Sequence, residues 1–220
     1  MYFKILREDL THYGYTYHKG LNVDSNPFEP VPNRRNGLFF ADEKTILGFC
    51  NYGTKIAKVT IPEGEAIVLV GEEYKAHRII LGSFRELWTK ETFKWLISCG
   101  ADIHADDDYA LICASESGHG EVVRLLLESG ANVHARNDHA LCQATANGHE
   151  EVVRLLLESG ANVHACDDLA LHWATLYKNL NVVKLLIEYG TDIHAGDDWA
   201  LRCASENGYV EVVEYLKSLY

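Results

Sequence analysis

From residue 100 onward the chain repeats itself every thirty residues. GADIHADDDYALICASESGHGEVVRLLLES (100–129) is followed by GANVHARNDHALCQATANGHEEVVRLLLES (130–159), then GANVHACDDLALHWATLYKNLNVVKLLIEY (160–189) and a fourth copy. Gly100, Gly130, Gly160 and Gly190 fall in register, as do His104, His134, His164 and His194. A period of this length means a solenoid, because one such unit cannot bury its own apolar face and must stack on its neighbours.

Each unit reads as two helices. The first begins at ALICASES, ALCQATAN, ALHWATLY or ALRCASEN, with Asp108, Asp138, Asp168 and Asp198 placed as N-terminal caps. The second is EVVRLLLES or a variant, whose Val-Val-x-Leu-Leu pattern makes a broad apolar stripe. Gly118, Gly148 and Gly208 sit at the reversal between the helices, and Gly130, Gly160 and Gly190 end the second helix. In the third unit Lys178-Asn179 replaces Gly-His; a lysine there is strained, so the turn shifts or Asn179 takes the left-handed position.

The string GH-x-EVV-x-LLL-x-x-GA-x-V-x-A resembles the ankyrin repeat over about residues 86–220. The usual ankyrin unit is three residues longer and carries a Thr-Pro-Leu-His turn, so the hairpin finger is expected here as a short tight turn. This short form is similar to the ankyrin-repeat proteins of giant DNA viruses of amoebae. The resemblance implies an all-α solenoid with a partial opening unit (86–105), units 106–135, 136–165 and 166–195, and a capping unit 196–220. Ser83 and Glu86 form a Ser-x-x-Glu capping box for the opening helix. Glu214, Tyr215 and Lys217 give the last helix a water-facing side, and no further domain is expected after it.

Positions that vary between units are free to face a partner, and by the family's geometry those on the fingers and first helices line a concave face. They include Tyr109 and Glu116, then Arg136, His139 and Asn147, then Cys166, Leu169, Leu176 and Tyr177, then Trp199 and Glu206. Tyr109, His139, Leu169 and Trp199 form one column, which either packs between units or anchors a partner; the residues alone leave both open.

Several functions are excluded or disfavoured. The four stacked His residues repeat at about a helix-packing distance, roughly 8–10 Å, too far for bonds of about 2.1 Å to one zinc; they read as structural, bonding the turn backbone as Asn does in the family. The formal charge of −12 is uneven, net +1 over residues 1–85 and −13 over 86–220, which argues against nucleic acid on the repeats. No apolar run is long enough for a membrane helix, and the N-terminus is no secretory signal. The 6 cysteines show no CxxC spacing and read as reduced thiols of a cytoplasmic protein. No nucleotide-loop, zincin or nucleophile-elbow motif occurs.

Residues 1–85 lack the repeat and read as a small α+β domain, mostly β. Strands are expected at 2–6, 13–18, 37–41, 55–61, 66–70 and 76–81, with a helix after Asp42, capped by it and closed by Gly53, and a long loop over 22–37. Two strings, KGLNVDSNPFEPVPNRRNGLFFADEK (19–44) and VLVGEEYKAHRIIL (68–81), resemble segments of diphtheria-toxin-like ADP-ribosyltransferases. That resemblance implies an NAD site with Phe39 at the nicotinamide-stacking position and Glu73 at the catalytic one. Phe39 lacks the family's hydroxyl, and the first strand lacks its His-Gly pair. The leading expectation is therefore a monomeric, non-enzymatic interaction protein without cofactor, binding a partner protein through the repeats; a degenerate transferase-like domain targeted by the repeats is the alternative.

Overall fold

The computed structural model describes residues 1–12, 14–32 and 36–220, with the side chains of 166–168 outside the description. By its contacts the chain divides into two compact units, Met1–Ala110 and Leu111–Tyr220.

The first unit is built on strands β1 (Tyr2–Leu6), β4 (Gly20–Val23), β5 (Leu38–Asp42), β6 (Lys55–Thr60), β7 (Ile67–Val70), β8 (Glu73–Ala76), β9 (Arg78–Leu81) and β10 (Arg85–Glu86). They form one sheet in the order β4-β9-β6-β1-β5-β8-β7, with β10 also on β6; β2 (Thr11–His12) and β3 (Tyr15–Thr16) form a separate hairpin. Every pairing is antiparallel. β-Branched and aromatic residues place the strands, and Leu6, Leu38, Phe40, Ala57, Val59, Ile79 and Leu81 make the core.

The expected strands at 2–6, 37–41, 55–61 and 66–70 are present within a residue or so. The strand expected at 13–18 is instead the short β2–β3 hairpin, with Tyr13 outside the described residues. The loop expected over 22–37 gives up its first residues to β4, and its residues 33–35 lie outside the description. The expected strand 76–81 is divided, because β8 turns back on β7 across Gly71 before β9 begins. The helix after Asp42 is a 3-10 segment, Ile46–Tyr52. Asp42 Oδ1 accepts from the Lys44 and Thr45 N–H groups at 3.0 and 3.2 Å, ordering the turn before it. Gly53 is extended, so its requirement is space: a Cβ there would collide with the Leu6 carbonyl.

The opening helix also differs. Arg85–Glu86 is strand, so the Ser83–Glu86 box does not form; α1 (Lys90–Ser98) starts at Thr89, whose Oγ1 accepts from Thr92 N at 3.2 Å. It packs within the first unit: the Phe3 and Trp95 rings meet edge to face at 5.5 Å, Arg85 lies 4.5 Å over Trp95, and Asp102 N donates to the Glu43 carbonyl at 2.9 Å. The compact unit therefore extends beyond the sequence boundary at residue 85 and takes in the opening helix.

The repeats alternate first helices α2 (Ala105–Glu116), α4 (Ala135–Ala146), α6 (Ala165–Leu176) and α8 (Ala195–Glu206) with second helices α3 (Gly120–Glu128), α5 (Glu150–Glu158), α7 (Leu180–Glu188) and α9 (Val210–Lys217). In the second unit, first helices pack on first helices and second on second. The expected stripe is the core: Val122, Val123, Leu125 and Leu126 are buried, as are Val152, Val153, Leu155, Leu156, Val182, Val183, Leu185 and Leu186.

No hairpin strand occupies the finger in any described repeat. Its place is taken by three consecutive left-handed residues: Asp106–Asp108, Arg136–Asp138 and Gly196–Asp198, all with φ between 50° and 61°. Asp, Asn and Gly tolerate this region, which explains the composition of the triplets. The shortened unit thus gets its tight turn from left-handed backbone.

Candidate functional site

The turn is locked by side chains whose roles differ from those expected. Asp138 does not cap its own helix. It is buried, its Oδ1 meets His134 Nδ1 at 3.0 Å, and the same oxygen accepts from Asn162 N of the next repeat at 2.8 Å. His104–Asp108 and His194–Asp198 repeat the pair at 3.0 and 2.7 Å. Among the described residues, His104, His134 and His194 thus latch onto Asp side chains. Asp168 and its neighbours Cys166 and Asp167 lie outside the described side chains. In the last repeat Asp198 receives the Tyr220 hydroxyl at 2.6 Å, which pushes that phenol up to about 12.

A second ladder was missed by the sequence reading. The residue after each helix-reversal turn reaches back to the first helix of the preceding repeat: His149 Nε2 lies 3.0 Å from the Glu116 carbonyl, Asn179 Nδ2 donates to Thr145 at 3.1 Å, and the Tyr209 hydroxyl donates to Leu176 at 3.3 Å. These partners satisfy carbonyls left open at helix C-termini. The signal was visible as a polar-tipped residue at one fixed place in every unit. Lys178 takes the left-handed position itself, at φ 59°, and Asn179 does not.

The variable positions differ in their exposure. Glu116, Arg136, His139, Asn147 and Glu206 are exposed. His139 Nε2 lies 3.0 Å from Gln143 Nε2, and Asn147 Nδ2 donates to the Gln143 carbonyl at 2.9 Å. Leu169 is half-buried. Trp199 is half-buried with its ring 4.4 Å from that of His172 in the preceding repeat, so it packs between units as well as facing outward. Tyr109 is half-buried and belongs to the first compact unit. At the end of α6, Leu176 is 39% and Tyr177 53% exposed, and the Tyr177 ring stacks at 5.7 Å and 12° on Trp173, one turn earlier. Trp173 and His172 were not singled out from sequence; their equivalents in other repeats are Cys, Gln, Ile and Arg, a variation as wide as at the positions that were.

Phe39 and Glu73 are both buried and line one small cavity of about 20 Å³. Beside it, the β1–β5 ladder stops after Phe3↔Ala41, and buried Lys4 donates its ammonium to the Phe39 carbonyl beyond. Lys4 Nζ also lies 3.0 Å from His12 Nδ1. Burial lowers Lys4 to about 7, against an opposing pull from Glu73. Burial, then Lys4 and Arg7, bring His12 down to about 4. Among the described residues no group of three His, Cys, Asp or Glu side chains is placed to hold a metal ion, and no helix is long and apolar enough to cross a membrane.

The ankyrin repeats family model matches residues 87–167 and 162–219, more than half of the chain. The proteins R896 and R229 of Acanthamoeba polyphaga mimivirus, both named as ankyrin repeat proteins, are 35% and 36% identical over 56% and 51% of this chain. The chain spans only 39% and 40% of their lengths. An uncharacterized mimivirus protein, R869, is 34% identical over 56% of the chain, and that match covers 94% of R869. The family match falls on the repeats, and the transferase resemblance of residues 19–81 draws no support from it. With the repeat period, the paired helices and the family match in agreement, this chain belongs to the ankyrin-repeat family.

Proposed function

We propose that the chain is a non-enzymatic adaptor whose repeats hold a partner protein on the variable face of the first helices. Its candidate residues are Glu116, Arg136, His139, Asn147, Leu169, Leu176, Tyr177, Trp199 and Glu206, with Tyr109 of the first unit a further candidate contact. Ankyrin repeats are a general protein-interaction module. The observation that carries the reading is the end of α6. Leu176-Tyr177 stands where the other repeats have Glu-Ser, Ala-Asn and Glu-Asn, and both residues are exposed. Folding gains nothing from apolar and aromatic side chains left in water, whereas an interface gains anchors. We read the chain as a viral adaptor that engages host proteins in the host cytoplasm; its similarity to mimivirus ankyrin-repeat proteins supports the viral part of that reading.

The test is affinity capture from amoebal cytosol with the full chain and with a Leu176→Ala, Tyr177→Ala double variant of matched melting temperature. A partner held by the wild type and lost by at least tenfold from the variant is expected. Equal capture by both sinks the assignment of this face.

A further inference from the structure

The first unit holds a second, larger cavity, of about 270 Å³, between the β2–β3 hairpin, the chain after β4 and the start of β5. Its walls include the side chains of Tyr15, Tyr17 and Phe39, together with His12, Asn26 and one carboxylate, Asp24. Tyr17, Phe39 and Asp24 are buried, with Asp24 only 7% exposed.

Asp24 is the residue that requires explanation. Its Oδ1 accepts from the Asn26 N–H at 2.9 Å and from Asn26 Nδ2 at 3.0 Å, and its Oδ2 from the Gly37 N–H at 2.6 Å. Burial pushes its pKa up, but these hydrogen bonds, with help from His77, outweigh burial and hold it below the usual carboxylate range. Among the described residues no lysine or arginine forms an ion pair with it. Among the described residues its charge is answered by hydrogen bonds and by His77 alone, and a buried charge is costly unless it is paired. The aromatic walls carry the same message, since ring faces are negative and attract cations when water is excluded. Lys4 already shows this at Tyr17, with its Nζ 4.7 Å from the ring centre. That ammonium is committed to Phe39 and His12, while His12 stays neutral above about pH 4 and does not repel a cationic guest.

We propose that this cavity binds a small organic cation with a quaternary or alkylammonium head, its charge facing Asp24 and its methyl groups packed on Tyr15, Tyr17 and Phe39. This site is separate from the interaction face of the repeats and stands or falls without it. The head group comes either from a free metabolite or from a methylated lysine side chain, and the probes distinguish the two.

The experiment is calorimetric and NMR titration of the full chain with choline, with its uncharged isostere 3,3-dimethyl-1-butanol, and with a short peptide carrying trimethyl-lysine. Saturable choline or peptide binding is expected, at least tenfold tighter than the isostere, with amide shifts at Asn26 and Gly37. Tighter choline binding assigns a free metabolite; tighter peptide binding assigns a side chain. Asp24→Asn should weaken the cation at least tenfold and leave the isostere unchanged. Should that variant fail to fold, the location of the amide shifts in the wild type decides. Absence of binding by both cations at millimolar concentration, equal binding of the isostere, or shifts confined to the repeats would each overturn the proposal.

Discussion

The two compact units solve burial in opposite ways. The repeat unit buries aliphatic stripes, and its buried acid Asp138 is answered from a fixed distance in sequence by His134 four residues earlier and by Asn162 in the next repeat. The first unit buries Lys4 on β1, Glu73 and Lys75 on β8, and Asp24 just after β4, and in its sheet β1 and β8 both pair with β5, from distant parts of the sequence. The repeats thus build stability from similar nearest-neighbour contacts, whereas the first unit holds several charged side chains in its interior.

The comparison breaks most sharply on cooperativity. Phe40→Ala, at the centre of the sheet core, should cost about 3–5 kcal/mol. Hydrogen exchange should then speed up throughout the sheet, while α5 and α7 keep their protection. Parallel loss of protection in α7 would show that the two units do not melt separately.

Next in size is pH. Lys4 and His12 both have folded pKa values below their unfolded ones, so the unfolded chain binds more protons between the two values and stability rises with pH there. The first unit should gain stability from about pH 4 to 6.5 through His12 and again above about pH 7 through Lys4. The second rise should be about 2 kcal/mol between pH 7 and 9. Urea unfolding of the full chain at pH 5, 7 and 9 checks this, and Lys4→Met should flatten the alkaline limb. A slope that survives Lys4→Met assigns it elsewhere.

A finer test separates the ladder from backbone strain. Gly118 and Gly208 have φ of 74° and 69°, but a Cβ at Gly118 would lie 2.6 Å from the His149 ring, while nothing lies within 4 Å at Gly208. Both substitutions to Ala should carry the left-handed cost of about 1–2 kcal/mol, and Gly118→Ala about 1–3 kcal/mol more from the clash. Equal losses in thermal melts would remove the His149 contact from the account. The smallest effect is a gain: Lys178→Gly should stabilise the third repeat by about 1 kcal/mol by relieving its left-handed lysine.

The legibility of the chain follows the same division. Val122, Val123, Leu125 and Leu126 could be placed in the core because their spacing repeats with the helix, and the turn glycines because each copy confirmed the last. The Asp cap expectation failed at Asp138 because a carboxylate before a helix can bond either its own helix or a neighbour, and only the stacked repeat supplies Asn162 N. Of the candidate face, the exposure of Glu116, Arg136, His139, Asn147, Tyr177 and Glu206 was legible as variation. The half-burial of Trp199 was not, since it depends on His172 one repeat away.

By itself the sequence determined the solenoid: its period, its paired helices, its apolar stripe and the family to which it belongs. All of these rest on contacts within a unit or with the next one, and a periodic pattern writes such contacts thirty residues apart. Only the tertiary structure decided the sheet order, the division of the strand after Gly71, the left-handed finger and the cavity around Asp24. Those depend on strands distant in the chain meeting and on charges being buried together, and neither a local propensity nor a period carries that information.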